Sequence, residues 1–277
     1  MGNPLLDPVE GVTPTKGGYY LWRYLPNKGA AVLFILLFLA SFFFISWKIW
    51  RTRARFCIPF AIGCLFEFIG YAARTSAHDK TEKIMPYAIQ NMYILVAPAL
   101  FAASIYMTLG RIITSIRGDK YSMIRPKRLT KTFVIGDVAS FVIQGSSTGL
   151  MVIQKPGLAE WGERVVIIGL MVQVIMFGLF AIIAVVFHRR MRRAPTPASH
   201  DVTIPWEHSL YMLYAVSALI MVRSVFRVIE FAQGHNGYPL THEWTMYIFD
   251  TVLMFFVTVI FGWKFPSGLN ARDDIAV

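Results

Sequence analysis

The sequence has little charge and almost no cysteine. Of its 277 residues, 16% are charged and 56% are hydrophobic, a balance that excludes an ordinary soluble domain. The two cysteines, Cys57 and Cys64, are seven positions apart on one predicted helix. That spacing is too long for a disulfide within a helix, so we expect two free thiols.

Two common sequence signatures of enzymes are also absent. The chain contains no G-x-x-x-x-G-K-[ST] loop and no H-E-x-x-H, so we predict no nucleotide hydrolysis by this chain, no catalytic residues and no cofactor. His235 and His242 flank one predicted loop, with Glu243 next in sequence. A metal site there is the alternative to two hydrated loop histidines, and we predict no metal.

Long apolar runs dominate what is present. Seven segments are long enough, or nearly so, to cross a bilayer, and they lie near residues 29–47, 57–74, 85–109, 132–153, 164–187, 208–231 and 243–263. They predict an all-α membrane bundle of seven transmembrane helices over residues 29–264. Residues 1–28 are polar and lack the apolar core of a signal peptide, and we expect an extracellular tail there. We expect residues 265–277 to form a short cytoplasmic tail.

Positive charge alternates between the predicted loops. The formal net charge is +11, and the Lys and Arg residues concentrate after the first, third and fifth apolar segments. Short loops rich in Lys and Arg stay in the cytoplasm, so the pattern predicts an extracellular N-terminus and a cytoplasmic C-terminus. The excess charge is thereby explained by topology, and we predict no nucleic-acid partner. The sequence does not indicate an oligomeric state.

Three of the segments nevertheless each contain two or more charged residues on one helix face. Arg223, Arg227 and Glu230 are spaced i, i+4, i+7 and share one face of a helix. The same spacing recurs from Glu67 to Arg74 and from Glu243 to Asp250. Charges at membrane depth turn toward a partner or a water-filled cavity, so we expect these residues to converge near the extracellular side. They form either a set of structural ion pairs or a functional cavity; the predicted substrate pathway here comprises Glu67, Arg74, Gln90, Arg223, Arg227, Glu230, Glu243 and Asp250.

The fourth segment carries a polar stripe of a different kind. Asp137, Ser140 and Gln144 lie at i, i+3 and i+7, and the stripe continues to Ser147 or Thr148. No cation on the same segment can pair with Asp137, so its carboxyl is neutralised, paired with another helix or in contact with water. We include Asp137 and Gln144 in the predicted pathway.

Pro98 lies inside the third segment and removes a backbone donor. It is expected to kink that helix and to free a carbonyl, which at membrane depth needs a partner from the protein or from water.

Several of these motifs together resemble the fungal RTA-like proteins, a seven-span group described as lipid-translocating exporters. The resemblance covers nearly all the segments. It is carried by E-F-I-G-Y-A-A-R at Glu67–Arg74, A-P-A-L-F-A-A-S-I-Y at Ala97–Tyr106, F-V-I-G-D-V at Phe133–Val138, R-S-V-F-R-V-I-E at Arg223–Glu230 and Y-I-F-D at Tyr247–Asp250.

The resemblance implies a fungal integral membrane protein, in the plasma membrane or, alternatively, an internal membrane. It also implies export or flipping of amphipathic lipids such as sphingoid bases, and resistance to toxic amphiphiles. The bilayer and an amphipathic lipid or lipophilic small molecule are then its partners. The alternative function is a seven-span receptor that binds an amphiphile and signals through its basic cytoplasmic loops.

Overall fold

The computed structural model describes residues 12–14, 20, 22, 24–78, 81–152, 158–200, 206–233 and 237–270. These residues contain seven long helices, and the helical fold class is as predicted. The helices are α1 (Lys28–Thr52), α2 (Ile58–His78), α3 (Ile84–Ser115), α4 (Pro126–Val152), α5 (Leu158–Arg193), α6 (Trp206–Ala232) and α7 (Glu243–Trp263).

Six of the described helices are long and apolar enough to cross a membrane. They are all but α4, whose 27 residues include the polar stripe around Asp137 and therefore have a lower apolar content. The α4 span and the orientation of the termini stay predictions. The six apolar helices support an integral membrane protein.

The helix ends follow from local backbone chemistry. Asn27 precedes α1, and its side chain accepts a hydrogen bond from the N–H of Ala30 at 3.2 Å, which satisfies one of the unpaired donors of the first turn. Arg53 ends α1 in the left-handed conformation, with a φ of 54°. Several helices continue beyond the predicted apolar segments: α5, for example, reaches Arg193 in its basic last turn. Hydropathy identifies only the part of a helix that is suited to the lipid interior, so the polar ends of these helices lie outside the predicted segments.

The helices are arranged in chain order around the bundle. Each packs against the next, α7 closes against α1, and α3 also contacts α6 across the centre. We call the end at which α1 begins the upper end and the opposite end the lower end. The seam between α2 and α3 is tight, because a Cβ on Gly63 would lie 2.6 Å from the Phe101 ring and one on Gly70 would lie 2.6 Å from Ile94.

The outer faces of the helices are apolar. Large exposed hydrophobic side chains recur every three or four positions along α1 and α5, the spacing of one helix face. They include Leu33, Leu36, Phe43, Ile168, Ile175 and Ile182. Apolar surface of this extent is unfavourable in water and is suited to lipid chains. The buried interior holds aromatic residues together with the polar groups described below.

The described part of the N-terminal segment packs on the upper end of the bundle. Trp22 is buried beside Ala77, and its ring meets that of Tyr87 edge to face, with 5.2 Å between centroids. The amide of Thr13 donates to the hydroxyl oxygen of Thr81 at 3.1 Å. Within residues 1–28, therefore, several described positions are fixed against α2 and α3.

Candidate functional site

Seven charged residues meet between the upper end and the middle of the bundle, and the sequence predicts that they converge. We call them the charge cluster: Glu67, Arg74, Arg223, Arg227, Glu230, Glu243 and Asp250. All are buried except Glu243, which is half-buried. They come from α2, α6 and α7 and face one another because each helix carries its charges on one side.

Three ion pairs account for six members of the cluster. A nitrogen of Arg74 lies 2.6 Å from Glu243, and a nitrogen of Arg227 lies 2.7 Å from Glu230 one turn along α6. Arg223 pairs with Asp250. Each arginine thus has an acid partner.

Arg74 connects three parts of the chain. Its guanidinium donates to Glu243 and Tyr247 of α7 and to the Tyr24 hydroxyl of the N-terminal segment, the two tyrosine contacts being 3.2 Å long. Glu243 also accepts from the backbone N–H of Asn27 at 2.8 Å. This part of the cluster anchors the N-terminal segment to the membrane helices. Tyr24 gives no sequence signal for this contact, because the two residues are 50 positions apart.

Arg223 satisfies the carbonyl that Pro98 leaves without a donor. In a regular helix the N–H of residue 98 bonds to the C=O of residue 94, and proline has no N–H. Arg223 donates to the Ile94 carbonyl at 3.0 Å and, through another nitrogen, to Asp250. The predicted partner of the freed carbonyl is confirmed, and it is supplied by α6.

Asp250 lies in an irregular part of α7. Residues Tyr247–Val252 form a π-helical segment between the α-helical turns Glu243–Met246 and Leu253–Trp263. The wider turn changes the angular position of the side chains that follow it, and such segments are frequent at functional sites. The i, i+4, i+7 spacing assumes regular α-helical geometry, so it did not predict this π-helical segment.

Glu67 is the member of the cluster without an ion pair. It is 1% exposed, and both carboxyl oxygens are buried with no hydrogen-bond donor among the described residues. The charges of Asp250, Arg223 and Arg227 are its nearest electrostatic neighbours. Three arginines face four acids, so the cluster has one acid more than it has cations, and Glu67 is that acid.

Gln90, also predicted for the pathway, is buried on α3. The register of Gly70 against Ile94 places it about one turn closer to the upper end, near the level of Arg74. Its Oε1 atom has no donor among the described residues.

Asp137 forms a second polar site, in the contact between α3, α4 and α5. It is 4% exposed, and one carboxyl oxygen accepts a hydrogen bond from the Tyr106 hydroxyl at 3.0 Å. The other oxygen is buried and has no donor among the described residues. The Tyr106 ring contacts three phenylalanine rings, and no described cation lies within ion-pair distance of Asp137. The sequence did not point to Tyr106 as its partner.

The polar stripe of α4 continues toward α5. The Gln144 amide donates to Gln173 at 3.5 Å, and the helices are close here, since a Cβ on Gly169 would lie 2.9 Å from Gln144. Gln144 therefore lies against α5, about 10 Å along α4 from Asp137. The side chains of Ser147 and Thr148 are outside the described residues.

The histidine alternative gains no geometric support. His242 is exposed, stacks on Tyr238 with 3.9 Å between ring centroids, and is hydrogen-bonded to Thr241. His235 is outside the described residues. Across the residues that the structure describes, no group of three potential ligands is placed to hold a metal ion.

Comparison with known proteins identifies relatives along most of the chain. The sequence matches the family described as RTA1 like protein over residues 60–272. Protein RTA1 of Saccharomyces cerevisiae is 37% identical, the match covering 91% of this chain and 86% of that protein. Protoporphyrin uptake protein 1 of the same yeast is 34% identical over 91% of this chain and 93% of its own length.

A more distant relative has a name that specifies a lipid. Sphingoid long-chain base transporter RSB1 of Saccharomyces cerevisiae is 24% identical, over 74% of this chain and 62% of that protein. No solved structure matches the chain. On the extent of the family match and on the identity to Protein RTA1, the chain belongs to the RTA1-like family of membrane proteins.

Proposed function

We propose that the protein moves amphipathic lipids or lipophilic compounds with a cationic head across a membrane, and so confers resistance to toxic amphiphiles. The observation that carries this proposal is the excess acid of the charge cluster. A carboxylate buried without a partner is strongly unfavourable. A cationic head group beside Glu67 completes the charge balance that the three arginines leave incomplete.

The chemistry of a sphingoid base fits such a site. It has an ammonium head on a long apolar tail, so the head suits the carboxyl of Glu67 while the tail suits the apolar spaces between helices and the surrounding lipid. The name of the RSB1 relative refers to this class of lipid. The name of the protoporphyrin relative refers to a large amphiphile that carries carboxylates, so the relatives are named for more than one kind of amphiphile.

Asp137 is proposed as a second position on the same pathway. It lies on a different helix from any residue of the charge cluster and has a buried oxygen without a donor among the described residues. Ionisable groups of this kind in membrane proteins commonly line ion and substrate paths. The two acids would then receive the head group in succession.

Reconstitution tests the proposed function directly. Purified protein is placed in phosphatidylcholine vesicles with a fluorescently tagged, single-chain ammonium amphiphile, and transbilayer movement is followed by quenching of the outer leaflet. We expect protein-dependent movement that Glu67→Gln removes. A matched control is Glu207→Gln, which changes an exposed acid in the first turn of α6. Binding without movement would instead support the receptor that is the alternative function.

The seven-span topology, with α4 as a span and an extracellular N-terminus, is part of this proposal, as is residence in the plasma membrane. Single cysteines are introduced in the N-terminal tail and beside Arg190, and intact cells are treated with a membrane-impermeant thiol reagent. We expect the first to react and the second to react only after permeabilisation. The reverse pattern contradicts the orientation.

A further inference from the structure

Glu67 occupies the middle of its helix. At 1.5 Å per residue it lies about 14 Å from the first residue of α2 and about 17 Å from the last. A group midway along a spanning helix lies near the middle of the bundle, and secondary transporters place their alternately opening sites near the bilayer midplane. The position is therefore suitable for an ion that enters from one side and leaves to the other.

Among the described residues, the charges around Glu67 are those of the cluster itself. From α6, Arg223, Arg227 and Glu230 face this region, and Asp250 faces it from α7. On α2 the neighbouring ionisable groups are Cys64 and Tyr71. The facing part of α3, residues 94–101, and the apolar length of α1, residues 29–47, have no ionisable side chain. Within the described part of the chain, the balance around Glu67 is therefore that of three arginines against four acids.

That balance leaves two neutral states for the site. With Glu67 ionised and empty, the site has a net charge of −1; with both a proton and an ammonium group it has a net charge of +1. The site is neutral when Glu67 holds either a proton or one cationic head group. Because charged states in an apolar interior are strongly disfavoured, the protein should change conformation with one occupant at a time.

We propose that Glu67 exchanges a proton for the cationic head of the amphiphile, so that transport is driven by a proton gradient. This rests on the proposed function, which it extends by assigning the energy source. The head leaves Glu67 on one side as the carboxylate takes a proton from water there. The proton is released on the opposite side, where the next head group binds. One proton and one monovalent cation move in opposite directions, and no net charge crosses.

The helices that face Glu67 are irregular at its depth. Pro98 interrupts the hydrogen bonding of α3, and the π-helical segment Tyr247–Val252 interrupts that of α7. Arg223 donates to both elements, through the Ile94 carbonyl and Asp250. Departures from regular helix geometry allow local bending, so a change of charge on Glu67 acts beside two places where helices can move.

The experiment uses an amphiphile that cannot itself carry a proton. A fluorescent long-chain trimethylammonium compound has a permanent charge, whereas a primary amine could cross the lipid in its neutral form and collapse the gradient without the protein. The full chain is reconstituted in phosphatidylcholine vesicles with a trapped pH-sensitive dye. Equal potassium on both sides with valinomycin holds the membrane potential at zero. The lumen is made more acidic than the medium.

With the wild-type protein we expect the amphiphile to accumulate in the inner leaflet while the lumen becomes alkaline, one proton leaving for each cation that enters. Reversing the gradient reverses the accumulation. Glu67→Gln abolishes both signals, Glu67→Asp retains part of both, and the exposed control Glu207→Gln retains both fully. A size-exclusion profile and melting temperature matching the wild type establish that Glu67→Gln is folded, as expected for a change that leaves the three ion pairs intact.

Other outcomes separate this inference from the proposed function. Protein-dependent movement that is indifferent to the gradient and is accompanied by no pH change overturns the exchange and leaves lipid movement standing. A pH change that proceeds without amphiphile shows a proton leak and also overturns the exchange. Absence of both movement and binding overturns the exchange together with the proposed function.

Discussion

The charge cluster and the Asp137 site both bury carboxyl groups within the membrane bundle, but they surround them with different partners. In the cluster, three arginines pair with three acids and link α2, α3, α6, α7 and the N-terminal segment. Around Asp137 a phenol hydroxyl and aromatic rings take the place of a cation. A pair that loses one partner leaves a buried charge, whereas a lone acid that is neutralised leaves none. The six paired members of the cluster should therefore matter most for folding, and the unpaired acids Glu67 and Asp137 for transport.

The largest loss of stability is expected for Arg223→Met. The substitution removes the partner of Asp250 and the donor to the Ile94 carbonyl, and breaking a buried pair in this way costs about 3–5 kcal/mol. The yield of monodisperse protein and its melting temperature in detergent measure the effect. Adding Asp250→Asn removes the stranded charge and should recover a substantial part of the stability. An Arg223→Met protein that melts like the wild type would contradict the structural importance of the pair.

A smaller loss is expected for Glu230→Gln. Arg227 then keeps its charge but loses a carboxylate 2.7 Å away, while the new amide oxygen can still accept one hydrogen bond. We expect the free energy of unfolding to decrease by about 2–4 kcal/mol, which is within the range for truncating one partner of a buried charge pair. Glu207→Gln, on the exposed part of α6, is the matched control. Unchanged melting together with reduced transport would show that Glu230 serves the pathway and not the fold.

Asp137→Asn is expected to leave the fold stable and to abolish transport, in contrast to the two substitutions above. Asparagine has the same shape and can accept the Tyr106 hydrogen bond, so the change in stability should stay within about 1 kcal/mol. Movement of the amphiphile should be lost, and cells should lose resistance to a toxic amphiphile at unchanged surface abundance. Full resistance would mean that Asp137 only packs. Loss of the protein would mean that a cation is its partner.

The smallest effect is expected for Tyr106→Phe. It removes one hydrogen bond of 3.0 Å to Asp137 and keeps the aromatic contacts. We expect the free energy of unfolding to fall by about 1 kcal/mol. We expect partial transport, measured in the same vesicles as for Asp137→Asn. Complete loss of transport in the phenylalanine variant would make the hydroxyl itself part of the pathway and would weaken the contrast between the two sites.

Much of the charge cluster could be predicted from the sequence, because helix periodicity determines which side chains share a face. The spacing from Arg223 to Glu230 and from Glu67 to Arg74 placed both stripes correctly. Pro98 predicted a carbonyl in need of a donor, since that consequence follows from the missing N–H alone. The number of spans was less well determined by the sequence, because the polar stripe lowers the hydropathy of α4; six of the described helices have the apolar character of a span.

The choice of partners was decided by the tertiary structure. Arg223 reaches a carbonyl 129 positions away, and Arg74 reaches Tyr24 and Glu243, because packing brings donor and acceptor atoms of distant segments within 3.2 Å of each other. The spacing of the charged residues likewise did not predict the π-helical segment of α7. The sequence alone determined that three arginines accompany four acids. Only the tertiary structure decided that Glu67 is the acid without a partner. The reason is that each guanidinium can pair only with a carboxylate that helix packing brings within reach.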